Sequence, residues 1–410
     1  MTAGEQQPAT AGPARYALLC YETQNLGDEI QSVAARQFLP QIDLLVDRDR
    51  LNRLPEGAQG NYKIILNGWH TRHPENWPPA PSLIPLPVSI HLSSEPKPGT
   101  GVRASEALLS GESLEFLRSH APIGARDHAT LQRLRAEGID AYFSACLTLT
   151  LGDGQPRPRG DYICAVDLPP RVLEALRARS RSRVVMTTHR DAATRPFAAR
   201  MRRAERLLSL YAQARSVVTS RLHCTLPCLA LGTPVLLVKP LRETDRFTGF
   251  EQMLRGCSLD EFLNGEVAFD ADNPPENSER YLKWREELMR TANTFASSTA
   301  EPSAATLHPF RPDTDVENLI GIEESFARKE AELVSLQRFQ RRFCSGRDYS
   351  KHQRLHFLRD LANAHEAADD LEEAKRLLEI ALAERPGHPE ITKYLEKLEN
   401  GIRRRKVVEP

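Results

Sequence analysis

Residues 214–237 read A-R-S-V-V-T-S-R-L-H-C-T-L-P-C-L-A-L-G-T-P-V-L-L. A β-branched run, Ser216-Val217-Val218-Thr219, gives way at Ser220, a good helix N-cap. An apolar segment of small residues follows at 222–231, Gly232 ends it, and a second apolar run occupies 234–238. Strand, helix and strand in about two dozen residues predict a compact βαβ unit. A right-handed crossover between its parallel strands leaves the helix N-terminus at the carboxyl edge of the sheet. Arg221 and His223 fall in that first turn. A cation, an imidazole and unsatisfied backbone N–H groups converging there suit an anion.

The whole chain has 410 residues, enough for two or three domains. Charged residues make up 27% and the formal net charge is zero, so no global basic field points to nucleic acid or an anionic membrane. No run of about 18 apolar residues predicts a membrane span. The polar start, M-T-A-G-E-Q-Q-P, lacks the pattern of a signal peptide. The seven cysteines form no C-x-x-C pair, which fits a reducing cytoplasm. Cys224 and Cys228 stand four apart on one helix, but no further ligand cluster completes a metal site, and they read as core residues.

Working outward, strand and helix patterns alternate on both sides of the quoted stretch, as in an α/β fold with open, mostly parallel sheets. Residues 1–14 read as a disordered tail, 15–155 as a first α/β domain and 156–296 as a second, joined near the G-D-G-Q-P-R-P-R-G segment at 152–160. Residues 71–87, T-R-H-P-E-N-W-P-P-A-P-S-L-I-P-L-P, carry too many prolines for a helix or a central strand and predict a long irregular loop. Trp77 inside it, with Trp69 just before, suggests a surface for stacking on a sugar. A Ser/Thr/Ala/Pro-rich linker at 297–315 leads to a helical region at 316–410. There Leu361, Ala362, Ala374, Leu378, Ala381 and Pro386 match the positions of one tetratricopeptide repeat, flanked by helices on either side. Such a tail is expected to fold semi-independently, to serve a protein partner, and to be removable after Asp313.

Residues that follow strands are the candidates for a site, because open α/β sheets bind ligands at their carboxyl ends. They are Asn25, Gly27 and Asp28; Asn67 and His70; Arg126 and Asp127; His189; Arg221 and His223; and Lys239 with Asp245 and Arg246. Several have plain structural readings. Asp28 and Asp127 suit helix N-caps, His70 suits a solvated loop, and His189 suits a bond to a backbone carbonyl. The Ser220–His223 turn resists such a reading, since a cation and an imidazole at the mouth of an apolar unit cost desolvation unless something uses them. No phosphate-binding G-x-x-x-x-G-K-[ST] loop, G-x-G-x-x-G, H-E-x-x-H or G-x-S-x-G occurs in the expected context.

Three segments together give the chain a family likeness: N-L-G-D-E-I at 25–30, I-G-A-R-D at 123–127, and V-V-T-S-R-L-H-C-T-L-P-C-L-A-L-G-T-P-V at 217–235. In their order and spacing the chain resembles the polysaccharide pyruvyl transferases over roughly residues 16–250. The resemblance implies two Rossmann-like domains facing a cleft, similar to glycosyltransferase type B. It implies transfer of the pyruvyl group of phosphoenolpyruvate to two hydroxyls of a saccharide acceptor, with no cofactor and no metal. It places the family's Arg-x-His on Arg221 and His223 and its cleft arginine on Arg126. Guanidinium groups suit a donor with a carboxylate and a phosphate, and an imidazolium near an anion suits a general acid. That makes His223 the expected acid and Asp28 a candidate for the proton acceptor. Asn25, Gly27, Asn67, His70, Trp77, His189, Lys239 and Arg246 are expected to bind substrate. A nucleotide-sugar glycosyltransferase on the same architecture and a non-catalytic scaffold remain as alternatives.

Overall fold

In the computed structural model the described residues are 14–95, 103–152, 157–239, 245–297, 308–345, 351–367 and 371–408. The expected N-terminal tail and most of the 297–315 linker lie outside them. The first half comprises β1 (Arg15–Cys20), α1 (Gly27–Arg36), β2 (Leu44–Asp47), β3 (Tyr62–Ile65), β4 (Gly68–Trp69), β5 (Leu83–Leu86) and β6 (Ile90–His91). It continues with α2 (Ala104–Leu108), α3 (Gly111–Ser119), β7 (Ile123–Ala125), α4 (His128–Ala136) and β8 (Ala141–Phe143). The strands form two parallel sheets, in the orders β2-β1-β3-β5 and β4-β6-β7-β8. β3 runs on into β4 and β5 into β6, and the two lanes stay paired across the break. The sheets are therefore one surface bent at the left-handed Gly68 (φ 131°) and Ser89 (φ 57°).

β5 corrects the expectation of an irregular loop at 71–87. Its sequence Leu-Ile-Pro-Leu pairs in parallel with β3, and Pro85 is tolerated because β5 is the edge of its sheet, where a missing N–H breaks no ladder. The earlier part of the segment folds inward, and Trp77 packs in the same core as Val46, Leu51, Leu66 and Leu83.

The second half contains β9 (Tyr162–Val166), α5 (Pro170–Arg179), β10 (Arg183–Thr187), α6 (Phe197–Gln213), β11 (Ser216–Thr219), α7 (Leu222–Ala230) and β12 (Val235–Val238). β13 (Gly256–Cys257), α8 (Leu259–Asn264) and α9 (Leu282–Ser297) complete it. Its sheet has the order β10-β9-β11-β12-β13, all parallel. The predicted βαβ unit is β11-α7-β12. Chain order reverses beside β9, so the loops after β9 and β11 diverge and leave a crevice at the carboxyl edge.

Each half has an apolar cluster of its own, and a third joins them. The joining cluster takes Ile30 and Val33 from α1 and Phe38 just after it, Leu147 and Leu149 from the turn after β8, and Leu222, Leu226 and Leu229 from α7. The relative position of the two carboxyl edges is thus set by close packing.

Four helices follow: α10 (Val316–Ser345), α11 (Lys351–Ala367), α12 (Leu371–Glu384) and α13 (Pro389–Val408). Leu361, Ala362, Ala374, Leu378 and Ala381, the positions that match a repeat, are buried in the core that α11, α12 and α13 share. The start of the helical region is not free-standing. Leu319 and Ile320 of α10 join the main α/β core, and Glu323, fully buried, pairs with Arg203 (3.0 Å) and Arg206 (3.2 Å) of α6. Phe326 lies under the Arg203 guanidinium, 4.1 Å from it. Removing the chain after Asp313 would strip these partners away, which overturns the expectation of a dispensable tail. Breaking a buried ion pair on one side costs roughly 3–5 kcal/mol. Glu323→Ala is expected to lower unfolding stability by that order in denaturant titration, and truncation after Asp313 by more; a truncated protein that melts like the full chain would refute this packing role.

Candidate active site

The carboxyl edges of the two halves meet at two helix N-termini. Neither α1 nor α7 has a side-chain cap. Ser220, the expected cap of α7, instead donates its hydroxyl to the Asp167 carbonyl (2.8 Å), and Arg221 occupies the cap position with extended backbone. The first N–H groups of α7 thus keep their positive end open to an anion. Gly27 lets the helices approach. A Cβ there would stand 3.1 Å from both Asn25 Oδ1 and His223 Nδ1. Asn25 accepts the Gly27 N–H (3.2 Å) and fixes this turn.

Around that contact gather cations from both halves. Arg126, at the end of β7, is only 2% exposed, and its Nε has no hydrogen-bond acceptor; Asp127 Oδ2 is 3.6 Å away. Burial lowers its affinity for the proton, with Arg246 adding to the effect. Arg246 comes from the short turn 245–247 after β12. That turn is clamped to the first half: Asp245 binds Arg133 (2.5 Å) and Ser94, and Thr248 takes the His128 and Ala129 N–H groups (3.1 and 2.9 Å). His223 is pushed well below its ordinary range, first by burial and then by Arg126, Arg246, His189 and His91. It is therefore neutral in the free protein. The neighbours that dominate here are cations. Arg221 gives its Nε–H to Asp167 (2.8 Å) and is 35% exposed, so its two terminal nitrogens remain available to a ligand. Asp167 is held in turn by the Thr188 hydroxyl (2.6 Å) and the His189 N–H (3.0 Å).

Other candidates sit behind this front. Asp28 does not cap α1. Its Oδ2 takes the Thr23 hydroxyl (2.8 Å) and faces Arg48 at 3.3 Å, while Oδ1 takes the Gln31 amide (3.4 Å). A carboxylate engaged at both oxygens is a holder of Arg48 more than a base. Arg48 is fully buried and lies over the rings of Tyr21 (4.9 Å) and Trp69 (5.9 Å). Asn67 is buried and donates to the Gln31 carbonyl (3.0 Å). His70 is not a solvated loop residue: it is 3% exposed beside Trp77, with ring centroids 5.1 Å apart, and burial, then Arg48, pushes it down to about 3. Trp77 is a core residue, edge-on to Phe116 at 5.5 Å, and its face is closed to a sugar. His189 is buried against the Tyr211 hydroxyl (2.9 Å), and its backbone N–H holds Asp167. Lys239 is exposed and runs over Gly256 of β13, away from the cluster. Of the expected set, the geometry brings Arg126, Arg221, His223 and Arg246 together around Asn25 and Gly27, with Asp28, Asn67 and His70 one layer back.

Sequence reasoning missed His91, Arg48 and Asp167. Each follows or ends a strand, so the rule that found the others applies to them too. His91 Nδ1 lies 2.6 Å from Asp127 Oδ2, and both side chains are buried. Asp127 does cap α4, accepting the Thr130 N–H (2.9 Å), as its plain reading expected.

The family model of the polysaccharide pyruvyl transferases matches residues 25–240, more than half of the chain. The chain belongs to that family. It is accordingly a transferase of polysaccharide pyruvylation, and the scaffold alternative falls away. No curated protein matches the chain. Within this pyruvyl transferase the match begins at Asn25, where the α1 turn opens, and ends just past β12, so it encloses Arg126, Arg221 and His223. The helical region lies beyond it. Among the described residues no helix is long and apolar enough to cross a membrane.

The neutral imidazoles set the pH response. In the unfolded chain a histidine takes its proton near pH 6.5, whereas burial, then Arg126, holds His91 at about 4, and His70 stays at about 3. Below about pH 6.5 the unfolded state binds more protons than the native one, so stability falls with pH until the native histidines also titrate. The melting temperature is expected to drop steadily between pH 6.5 and 4, with a shallower slope in His70→Gln; a flat profile over that window would contradict the burial of these rings.

Proposed function

We propose that the donor is phosphoenolpyruvate and that the product is a cyclic pyruvate ketal on two hydroxyls of a saccharide. The architecture we ascribe to it is similar to glycosyltransferase type B, with two Rossmann-like halves and the acceptor entering between them. We place the reaction in the cytoplasm, where the cysteines with described side chains remain free thiols.

One observation carries this reading: buried Arg126, half-buried Arg246 and neutral His223 converge on the uncapped N-terminus of α7. A buried guanidinium such as Arg126, with a second cation beside it, binds an anion strongly. Phosphoenolpyruvate supplies a carboxylate and a phosphate within one small molecule, which suits two guanidinium groups and a helix end at once. Arg221, anchored by Asp167, closes the outer side of the donor.

The donor also changes the state of His223. Its negative charges offset Arg126 and Arg246, so the imidazole regains affinity for a proton when the donor binds. The protonated ring then delivers that proton to the methylene carbon as a hydroxyl oxygen bonds to the adjacent carbon. A cationic centre developing there is tolerated because the bound phosphate and carboxylate flank it.

Arg126→Ala is expected to weaken phosphoenolpyruvate binding by about 1.5–3 kcal/mol, the worth of one charge-assisted contact. His223→Asn should depress turnover more than donor affinity. Calorimetry in buffers of different ionisation enthalpy should report proton uptake when the wild-type protein binds phosphoenolpyruvate, and less in His223→Asn. Unchanged donor binding in Arg126→Ala would move the donor site elsewhere.

A further inference from the structure

The His91–Asp127 pair has no part in holding the donor as described above, yet it is among the most constrained groups of the cluster. His91 ends β6 and Asp127 follows β7, neighbouring strands of one sheet. Their 2.6 Å contact is buried, at 3% and 0% exposure. Burial works against the charge on Asp127, but His91, Arg126 and the Thr130 N–H outweigh it and hold the carboxyl down at about 2. A carboxylate so placed can only accept, so His91 Nδ1 carries the hydrogen. Its Nε2 is then an unprotonated acceptor on the opposite side of the ring. The charged and titratable groups that face the ring are Asp127 and Arg126 after β7, Asp245 and Arg246 after β12 and His223 on α7. Thr130 Oγ1 of α4 stands 3.5 Å from Nδ1. The ring therefore borders the same space as His223, while the Asp28 carboxylate is engaged at both oxygens.

We propose that His91 is the base of the acceptor side, taking the proton of the attacking hydroxyl on Nε2, and that Asp127 is its positioning residue. This rests on the ketal reading. In the first step the hydroxyl O–H bond breaks and its oxygen bonds to the central carbon of phosphoenolpyruvate. The π pair takes a proton from His223 at the methylene carbon, and the hydroxyl proton goes to His91. In the second step the other hydroxyl oxygen bonds to the same carbon. The carbon–oxygen bond to phosphate breaks with its electron pair, and the hydroxyl proton restores His223. The proton on His91 leaves with the phosphate. Two hydroxyl protons are lost, one ending in the new methyl group and one on the phosphate. Asp127 fixes the tautomer and stabilises the transient imidazolium.

The test separates this role from the helix cap, because asparagine caps a helix about as well as aspartate. Full-length His91→Gln and Asp127→Asn are compared with wild type by phosphoenolpyruvate calorimetry and by the rate of ketal formation on a saccharide acceptor. Expected are donor Kd values within about twofold of wild type, and a kcat loss of about 100-fold or more in His91→Gln. Asp127→Asn should lose kcat without melting earlier, and the acidic limb of its kcat–pH profile should move to lower pH, because the imidazolium has lost its counter-charge. In the free wild-type protein, nitrogen NMR of the His91 ring should show hydrogen on Nδ1 and none on Nε2. Wild-type kcat and pH profile in either variant overturn the assignment, as does hydrogen on Nε2. Loss of phosphoenolpyruvate binding in His91→Gln overturns it too, making His91 a donor ligand. If the wild-type protein itself neither binds phosphoenolpyruvate nor forms a ketal, the ketal reading fails and the base assignment fails with it.

Discussion

The backbone bond from the Leu26 N–H to the His189 carbonyl, 2.7 Å long, joins the loop before α1 to the loop after β10. Asn25 forms an antiparallel bridge with Arg190, and the Asp191 N–H binds the Gln24 carbonyl (3.1 Å) beside it. This short stitch sets the two helix N-termini face to face. It is held from below by two fully buried arginines of α6. Arg200 binds Glu29 of α1 (2.6 Å) and the Ala192 carbonyl (2.8 Å), and Arg203 binds the carbonyls of Arg190 (2.7 Å) and Thr188 (3.2 Å). Removing one partner of a charge this deep is costly, so the network favours one arrangement of the stitch.

With the edges fixed, desolvation becomes the force that shapes the site. Arg126 is buried beside Arg246, and three histidines around them are driven to the neutral form. Two kinds of group result. The guanidinium groups keep their charge because their intrinsic affinity for the proton is so high, while the imidazoles give theirs up. A small dianionic or trianionic ligand reverses the local balance, and the histidines then become the groups whose protonation answers to it. The His91–Asp127 pair is the exception, since its own carboxylate travels with the ring.

The helical region enters this scheme through α10. Glu323 neutralises Arg203 and Arg206, and Arg203 is the residue that holds the 188–190 carbonyls. α10 is thus coupled to the stitch at the site through Glu323 and Phe326 on Arg203 and through Glu330, which binds Arg190 directly (2.5 Å). By contrast α11, α12 and α13 share a core of their own. The change in role occurs within α10, not at the polar linker before it.

The sequence by itself determined the β11-α7-β12 unit, because a β-branched run, a small apolar helix and a terminating glycine are local preferences that nothing distant contradicts. It also determined that polar residues would crowd the strand ends, and Arg126, Arg221, His223 and Arg246 were legible on that ground. What tertiary structure decided was partnership. Arg221 meets Asp167 across 54 positions and His91 meets Asp127 across 36, separations that carry no local signal. Trp77 sits among prolines that read as surface, yet the burial of an aromatic ring outweighs the local irregularity, and only the packing of β3, β5 and α3 shows where it goes. The neutral state of His223 was likewise out of reach, since it depends on how many cations share one desolvated space, a property of the folded arrangement and of no residue alone.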